Sequence, residues 1–227
     1  KTFLGITAFI GVFCSCSAVL FLVFAKNIGR AELWHLMFTD AVGRAQTRYY
    51  GQAGKIAGSP ERDLLGPGEI EFITMQDSFY LGSISESGWP YIQHRGGPSG
   101  FLRVIGNSTL AFADYKGNRQ LLSTGNLSVN DRVALFLMNY THRERLKILG
   151  HARIEDVRER PELIERFADP TMRTSVERVV FIDVVSFDWN CPKYITPRYS
   201  VKEVEELASS LRTRIAELEA ALRAVKS

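Results

Sequence analysis

Cysteine and histidine are scarce in this chain, which has three cysteines and four histidines among its 227 residues. Cys14 and Cys16 lie in one apolar run, and Cys191 is remote from both. No CxxC pair and no Cys/His spacing of the zinc type occurs. We therefore expect neither a metal site nor a disulfide framework, so nothing demands an oxidising compartment.

A strong charge of either sign is also missing, because the formal net charge is only +3. The basic residues are scattered along the chain, so nucleic acid is not an expected partner. Motifs for nucleotide triphosphates, dinucleotides and the serine nucleophile elbow are absent as well. No catalytic residue can be named from such motifs.

One long apolar run is present, and residues 3–25 carry no charge. A helix of this length would span roughly 34 Å, enough to cross the core of a bilayer. Lys26 and Arg30 follow the run and favour a cytoplasmic location for the rest of the chain. Three interpretations stay open: a membrane anchor, a cleaved signal peptide, or a wrongly assigned gene start. We expect residues 1–37 to comprise this segment and a linker over residues 26–37.

Residues 38–199 have the pattern of a domain rich in short strands. Helices are expected at Thr39–Tyr50, Pro67–Gln76, Asn118–Thr124 and Pro161–Phe167. Strand candidates are Ser78–Ile84, Trp89–Arg95, Phe101–Ile105, Thr109–Asp114, Arg132–Asn139, Arg145–Val157 and Val179–Phe187. Gly150 indicates a bulge within its strand. About six strands with few helices between them predict a mainly β (α+β) fold, an antiparallel barrel with peripheral helices.

Residues 200–227 read as one long amphipathic helix rich in Glu, Arg, Ala and Leu. With Val201 at heptad position a, the a positions are Val201, Ala208, Ile215 and Leu222. The d positions are Val204, Leu211, Leu218 and Val225. Two alternatives remain open: the helix packs on its own barrel, or it pairs with a helix of a partner subunit.

Two stretches carry polar groups that suit a phosphorylated aromatic ligand. The first leaves a strand at Asp114 and turns at a glycine, and Lys116 and Arg119 there could bind a phosphate beside a helix start. In the second, strand alternation places Tyr91, Gln93 and Arg95 on one face and Ile92 and His94 on the other. On chemistry alone, an ordinary surface turn or strand remains the alternative explanation for each stretch.

Four segments together resemble the pyridoxamine 5′-phosphate oxidase-related FMN-binding proteins. They are DSFYLGSISESGWPYIQHRGGPSGF, LAFADYKGNRQ, NDRVALFLMNY and WNCPKYITPR, in the order of that family. The resemblance covers roughly residues 38–199. It implies a six-stranded split-barrel homodimer with two FMN sites at the subunit interface.

The resemblance also implies which residues bind the cofactor. The strand around Tyr91 runs beside the flavin, the turn at Asn118 and Arg119 holds the phosphate, and Trp189 and Arg198 close the site. The implied set is Tyr91, Gln93, His94, Arg95, Phe112, Ala113, Lys116, Asn118, Arg119, Arg145, Trp189 and Arg198. Asn118 stands where the oxidase has a basic residue, so we expect Lys116 to contribute part of the phosphate binding instead.

The resemblance implies an FMN-dependent oxidoreductase that acts on a small-molecule substrate of unknown identity. The oxidase ends in an Arg-x-His segment that holds pyridoxal phosphate, whereas this chain continues through PRYS into a helix. Pyridoxamine 5′-phosphate is therefore not the expected substrate. A non-catalytic flavin carrier or sensor is the alternative function, and a deazaflavin or haem is the alternative cofactor.

Overall fold

The computed structural model describes residues 31–54, 62–189 and 192–226. Its helices are α1 (Ala31–Met37), α2 (Asp40–Tyr50), α3 (Pro67–Met75), α4 (Leu122–Val129), α5 (Glu162–Phe167) and α6 (Val201–Lys226). Its strands are β1 (Ser78–Ile84), β2 (Pro90–Gly96), β3 (Arg103–Ile105), β4 (Thr109–Tyr115), β5 (Arg132–Asn139), β6 (Glu144–Asp156) and β7 (Val176–Trp189).

The strands form one antiparallel sheet in the order β2-β1-β5-β6-β7-β4-β3. This confirms the mainly β class and all seven strand candidates. The barrel count of six was low by one, because the three residues of β3 also pair with β4. Strands β2 and β3 are the two edges and are not neighbours in the sheet, which leaves it split.

Aromatic side chains hold the curled sheet together from inside. Phe79 on β1 stacks on Phe101 with a centroid distance of 5.6 Å. It also meets Phe112 on β4 edge-on at 5.3 Å. Strands β1 and β4 are not hydrogen-bonded to each other, so these contacts join opposite parts of the sheet across one apolar core. A smaller core lies under α5, around Phe167 and Phe181.

A bulge occurs at Gly150, but its extra residue is Val185 on β7 and not a residue of β6, where the sequence predicts the bulge. The register between β6 and β7 shifts between Leu149 and Gly150. A Cβ atom at Gly150 would lie 2.7 Å from the carbonyl oxygen of Asp183 and 2.8 Å from Cγ2 of Ile182. The two strands therefore approach each other at a distance that only glycine permits.

Helix α3 is tied to the end of β7 through Glu69. One carboxylate oxygen of Glu69 accepts a hydrogen bond from the Gly66 amide at 3.0 Å, at the start of the helix. The other accepts from Nε1 of Trp189 at 2.6 Å. The Trp189 ring also meets Phe72 edge-on at 4.8 Å. Trp189 is thus a packed structural residue in the single chain.

The N-terminal segment differs in part from what the sequence predicts. The linker expected over residues 26–37 contains a helix, because α1 forms and lies against β7. The apolar run of residues 3–25 lies outside the described residues. In the described ranges, no helix has both the length and the apolar character needed to cross a membrane.

Helix α6 forms as predicted but does not cover its own barrel. Its large apolar side chains are each between 51% and 75% exposed. The alternative in which α6 packs on its own barrel is therefore wrong. Its first turn is held in place, because Glu203 Oε1 accepts a hydrogen bond at 2.9 Å from Oγ1 of Thr141 in the β5–β6 turn.

Candidate functional site

The two polar stretches singled out in the sequence line one cleft at the split of the sheet. From β2 come Tyr91, Gln93 and Arg95, which alternation places on one face as expected. The wall opposite is made by the end of β4, the turn of residues 117–121 and the start of α4. Glu177 and Arg178 at the start of β7 complete the lining. The cleft has a volume of about 60 Å³ in the single chain.

The turn before α4 has an unusual backbone. Arg119 and Leu121 have φ angles of 62° and 54°, a left-handed conformation that is uncommon for residues other than glycine. Asn118 supports the turn, because its Oδ1 accepts a hydrogen bond from the Gln120 amide at 3.1 Å. The helix expected over Asn118–Thr124 is therefore wrong in position, since these conformations delay the helix start to Leu122.

The start of α4 places backbone amides at the wall of the cleft. The first helical hydrogen bond runs from the Gly125 amide to the Leu121 carbonyl oxygen at 2.8 Å. The amides of Leu122, Ser123 and Thr124 come before it and have no acceptor within the helix. All three residues line the cleft. Unpaired amides at a helix start favour an anion such as a phosphate.

Two hydrogen bonds from side chains fix α4 against the strands. Oγ of Ser123 donates to Oε1 of Gln93 at 2.7 Å, which joins the helix start to β2. Nδ2 of Asn126 donates to Oγ of Ser83 on β1 at 2.9 Å. Ser83 and Ser123 are both buried. The cleft wall is therefore held rigidly beside the polar face of β2.

A compact cluster of charges forms the floor of the cleft. Nη1 of Arg95 donates to Oδ1 of Asp114 at 2.5 Å, and Nε of Arg178 donates to Oδ2 of the same carboxylate at 3.0 Å. Nη2 of Arg178 also donates to Oε2 of Glu177 at 2.9 Å. The Arg95, Asp114 and Arg178 side chains are 16%, 8% and 16% exposed. Two arginines thus share one nearly buried carboxylate.

The cleft keeps donors that this cluster does not use. Nε of Arg95 is buried and has no hydrogen-bond acceptor among the described residues. Arg119 also lines the cleft, and it forms no ion pair with any residue that the structure describes. A buried donor without a partner costs about 1–3 kcal/mol, so an acceptor from outside the chain would be favoured here.

A second, larger cleft of about 490 Å³ lies on the other side of the turn. It shares Arg119, Leu121, Glu177 and Arg178 with the first cleft and adds Asp156 and Arg158. Hydrogen bonds from Arg158 lower the pKa of Asp156 to about 2. Asp156 therefore stays ionised, and its ion pair with Arg158 adds no net charge to this second cleft.

Other residues of the implied cofactor set lie near the cleft without lining it. His94 is on the opposite face of β2, where its ring meets Tyr80 edge-on at 5.6 Å. Phe112 and Ala113 are buried in the two cores. Lys116 has an exposed side chain, while its amide donates to the Ser175 carbonyl oxygen at 2.7 Å. Cofactor contacts by these four residues stay predictions.

Three further residues of that set lie at the far end of the sheet. Strands β6 and β7 run side by side from the Asp156–Arg178 pair, near the cleft, to the Leu146–Trp189 pair at their other end. These two pairs lie roughly 33 Å apart along the strands. Arg145 and Trp189 lie at the end remote from the cleft. Arg198 follows them, with its guanidinium 4.8 Å from the centre of the Tyr140 ring. Within one chain they are not brought to the cleft.

Sequence reasoning did not assign several residues that line the cleft. Asp114 appeared only as the first residue of the turn, and its contact with two arginines depends on pairing between distant strands. Glu177 and Arg178 lie before the expected start of the last strand at Val179. A charged pair before an aliphatic strand is too common a pattern to indicate a site. Ser123 is also an ordinary residue for a helix start.

Similar solved structures are distant in sequence. A putative pyridoxamine 5′-phosphate oxidase from Lactobacillus delbrueckii is 16% identical, with a TM-score of 0.43 over 55% of this chain and 93% of that chain. A HupZ variant from Group A Streptococcus is 11% identical, with a TM-score of 0.43 over 56% of this chain and 99% of that chain. An FMN-binding protein from Syntrophomonas wolfei is 11% identical, with a TM-score of 0.38 over 54% and 86% of the two chains.

No match was found among curated proteins. The sequence model of the pyridoxamine 5′-phosphate oxidase family matches residues 70–187, which is more than half of the chain. The matched range begins in α3 and ends in β7, so it contains every strand of the sheet except the last residues of β7. This chain therefore belongs to the pyridoxamine 5′-phosphate oxidase family.

Proposed function

We propose that this protein binds FMN in the cleft between β2 and the turn before α4, and that it acts as an FMN-dependent oxidoreductase on a small molecule. The observation that carries the proposal is the meeting of two stretches in one cleft. Residues 117–124 supply amides and Arg119, and β2 supplies Tyr91, Gln93 and Arg95. This combination suits a ligand with a phosphate at one end and a flat polar ring at the other.

Each wall of the cleft has its own part in binding. The amides at the start of α4 and the guanidinium of Arg119 would hold the phosphate, since charge-assisted bonds to an anion are the strong ones. Gln93 and Arg95 would lie along the ring, where the free Nε of Arg95 can donate to a ring oxygen or nitrogen. FMN itself would supply the redox chemistry, and the protein would orient it and tune its electronics.

The size of the cleft supports a site shared between two copies of the chain. Ligand sites usually have volumes of about 300–1,000 Å³, well above the 60 Å³ found here in one chain. The outer side of β1 and β2 exposes Tyr80, Ile84 and Ile92, and Trp89 just before β2 is exposed as well. An apolar surface of this kind suits a subunit interface. In the proposed homodimer, the remote end of the partner's sheet would complete the cleft.

The cofactor is tested by expressing the full chain and analysing what it binds. We expect a flavin absorption spectrum after purification or after addition of FMN, and a mass matching FMN in the extract. A deazaflavin or haem in the extract would replace FMN in the proposal. A preparation without a bound cofactor that also fails to bind added FMN would refute it.

Catalysis is tested separately from binding, by mixing the FMN-loaded protein anaerobically with NADH or NADPH. Bleaching of the flavin absorbance by either donor is the result expected of an oxidoreductase. A bound flavin that neither donor reduces would support the alternative function of a flavin carrier or sensor. No catalytic acid or base is assigned, because no residue of the cleft is required in that role.

A further inference from the structure

Helix α6 exposes an apolar stripe that the described part of the chain does not cover. The members of this stripe are Val201, Val204, Leu207, Leu211, Ile215, Leu218 and Leu222. The helix has 26 residues, which is about 39 Å. A continuous exposed stripe of this length is typical of an interaction surface.

We propose that α6 pairs with α6 of a second copy of this chain as a parallel, in-register, two-stranded coiled coil. Six of the seven stripe residues fall on heptad positions a and d, and Leu207 falls on the adjacent position g. In the central heptad, Ile215 occupies a, between Leu211 and Leu218 at d. A β-branched residue at a with leucine at d favours two strands over three or four.

One pair of flanking charges fits the parallel arrangement. Arg214 is at position g and Glu219 is at position e of the next heptad. In a parallel pair, position g of one helix faces position e of the following heptad in the other. Arg214 of each copy would therefore face Glu219 of the other, which gives two attractive pairs by symmetry.

To face Glu219 of the other copy, Arg214 must give up only a weak contact within its own helix. In the single chain Nη1 of Arg214 donates to Glu217 at 2.8 Å, and both side chains are mostly exposed. An exposed pair of this kind contributes little to stability. The Arg214 side chain can therefore turn to a partner helix at small cost.

A second copy of the chain suits the stripe better than a membrane surface does. Helices that lie on membranes are rich in Lys and Arg on the polar face. Between Val201 and Lys226 there are five acidic and five basic residues, so the helix carries no net charge. Mixed charges beside an a/d stripe are instead the pattern of a coiled coil.

The start of α6 is fixed in a way that lets the rest project. Ser200 and Glu203 form a capping box: the Ser200 amide donates to Glu203 Oε2 at 2.7 Å, and the Glu203 amide donates to Ser200 Oγ at 3.2 Å. Thr141 holds Glu203 to the β5–β6 turn. The helix therefore leaves the barrel from a defined point, with its stripe available along its length.

Disulfide trapping in the full chain tests both the pairing and its direction. Cys14, Cys16 and Cys191 are replaced by serine, and Val204→Cys or Leu218→Cys is then introduced singly. Both are d positions, which meet their own equivalents in a parallel pair. We expect each variant to form a covalent dimer under mild oxidation. Thr213→Cys, on the outer face at position f, is the matched control and should remain monomeric on a denaturing gel.

Three results would overturn the proposal. They are no covalent dimer from either d-position variant, a dimer from one only, or a yield equal to that of Thr213→Cys. An antiparallel pair can bring at most one of the two positions against its own equivalent, because they lie about 21 Å apart along the helix. FMN binding, measured on the same preparations, reports on the cleft separately, so failure of either proposal leaves the other standing.

Discussion

Arg95 on β2 donates a hydrogen bond to Asp114 on β4 at 2.5 Å, across the split between two strands that are not neighbours in the sheet. Arg178 on β7 binds the other oxygen of the same carboxylate. One side chain therefore joins an edge strand to the opposite side of the barrel at the floor of the proposed cofactor cleft. The contact connects the stability of the fold with the shape of the site.

Asp114→Asn should destabilise the protein by about 3 kcal/mol, because it leaves two nearly buried arginines without their shared carboxylate. Urea unfolding, followed by circular dichroism, measures the change. Asp131→Asn is the matched control, since Asp131 forms an exposed pair with His151 that should contribute at most about 1 kcal/mol. Equal losses in the two variants would show that the cluster does not hold the split together.

Gly150→Ala should destabilise the barrel by about 1–3 kcal/mol, because the new methyl group would lie against the Asp183 carbonyl and force the β-bulge to move. Gly68→Ala in α3 is the control, since no atom lies within 4 Å of the added Cβ. Thermal unfolding of both variants checks the difference. A Gly150→Ala protein as stable as Gly68→Ala would contradict the close approach of β6 and β7.

Acidification should weaken the anchoring of α6. Hydrogen bonds from the Ser200 amide and hydroxyl, and from Thr141, hold the pKa of Glu203 below its ordinary value. A carboxylate with a lowered pKa stabilises the folded state above its unfolded pKa, and this contribution is lost as the pH falls through the folded pKa.

The measurement is the difference in thermal stability between wild type and Glu203→Gln at a series of pH values. Wild type should be the more stable at neutral pH, and the difference should disappear well below the ordinary glutamate pKa of about 4.3. Glu205→Gln is the control, because Glu205 lies in the same helix away from the cap. A difference that stays constant down to acid pH would show that the Glu203 charge is not involved.

The sequence and the family resemblance predicted the strands and the β2 face well, because alternation and glycine positions are local signals. Tyr91, Gln93 and Arg95 share a face for that reason alone. The start of α4 was misplaced, since nothing local signals that Arg119 and Leu121 adopt left-handed conformations. Arg178 was missed because its role depends on the pairing of β4 with β7, which brings it to Asp114 over a sequence separation of 64 residues.

The exposed stripe of α6 shows another limit of sequence patterns. The heptads predicted an amphipathic helix, and the helix forms over Val201–Lys226. An amphipathic pattern does not state which surface covers the apolar side. Only the positions of the barrel and of Thr141 show that the helix leaves the fold instead of lying on it.

Comparing FMN with riboflavin isolates the contribution of the phosphate to binding, since the two ligands differ only in that group. Charge-assisted hydrogen bonds are worth about 1.5–3 kcal/mol, so wild type should bind FMN roughly 10–100-fold more tightly than riboflavin. Arg119→Gln should lose most of that preference by weakening FMN binding alone. Arg103→Gln, which changes an exposed arginine on β3 outside the cleft, should keep it.

Flavin fluorescence titration of the full chain measures all six affinities. We expect a large preference for FMN over riboflavin in wild type and in Arg103→Gln, and a small one in Arg119→Gln. Equal affinity of wild type for FMN and riboflavin, or an Arg119→Gln variant that weakens both ligands equally, would contradict a phosphate held at the turn before α4.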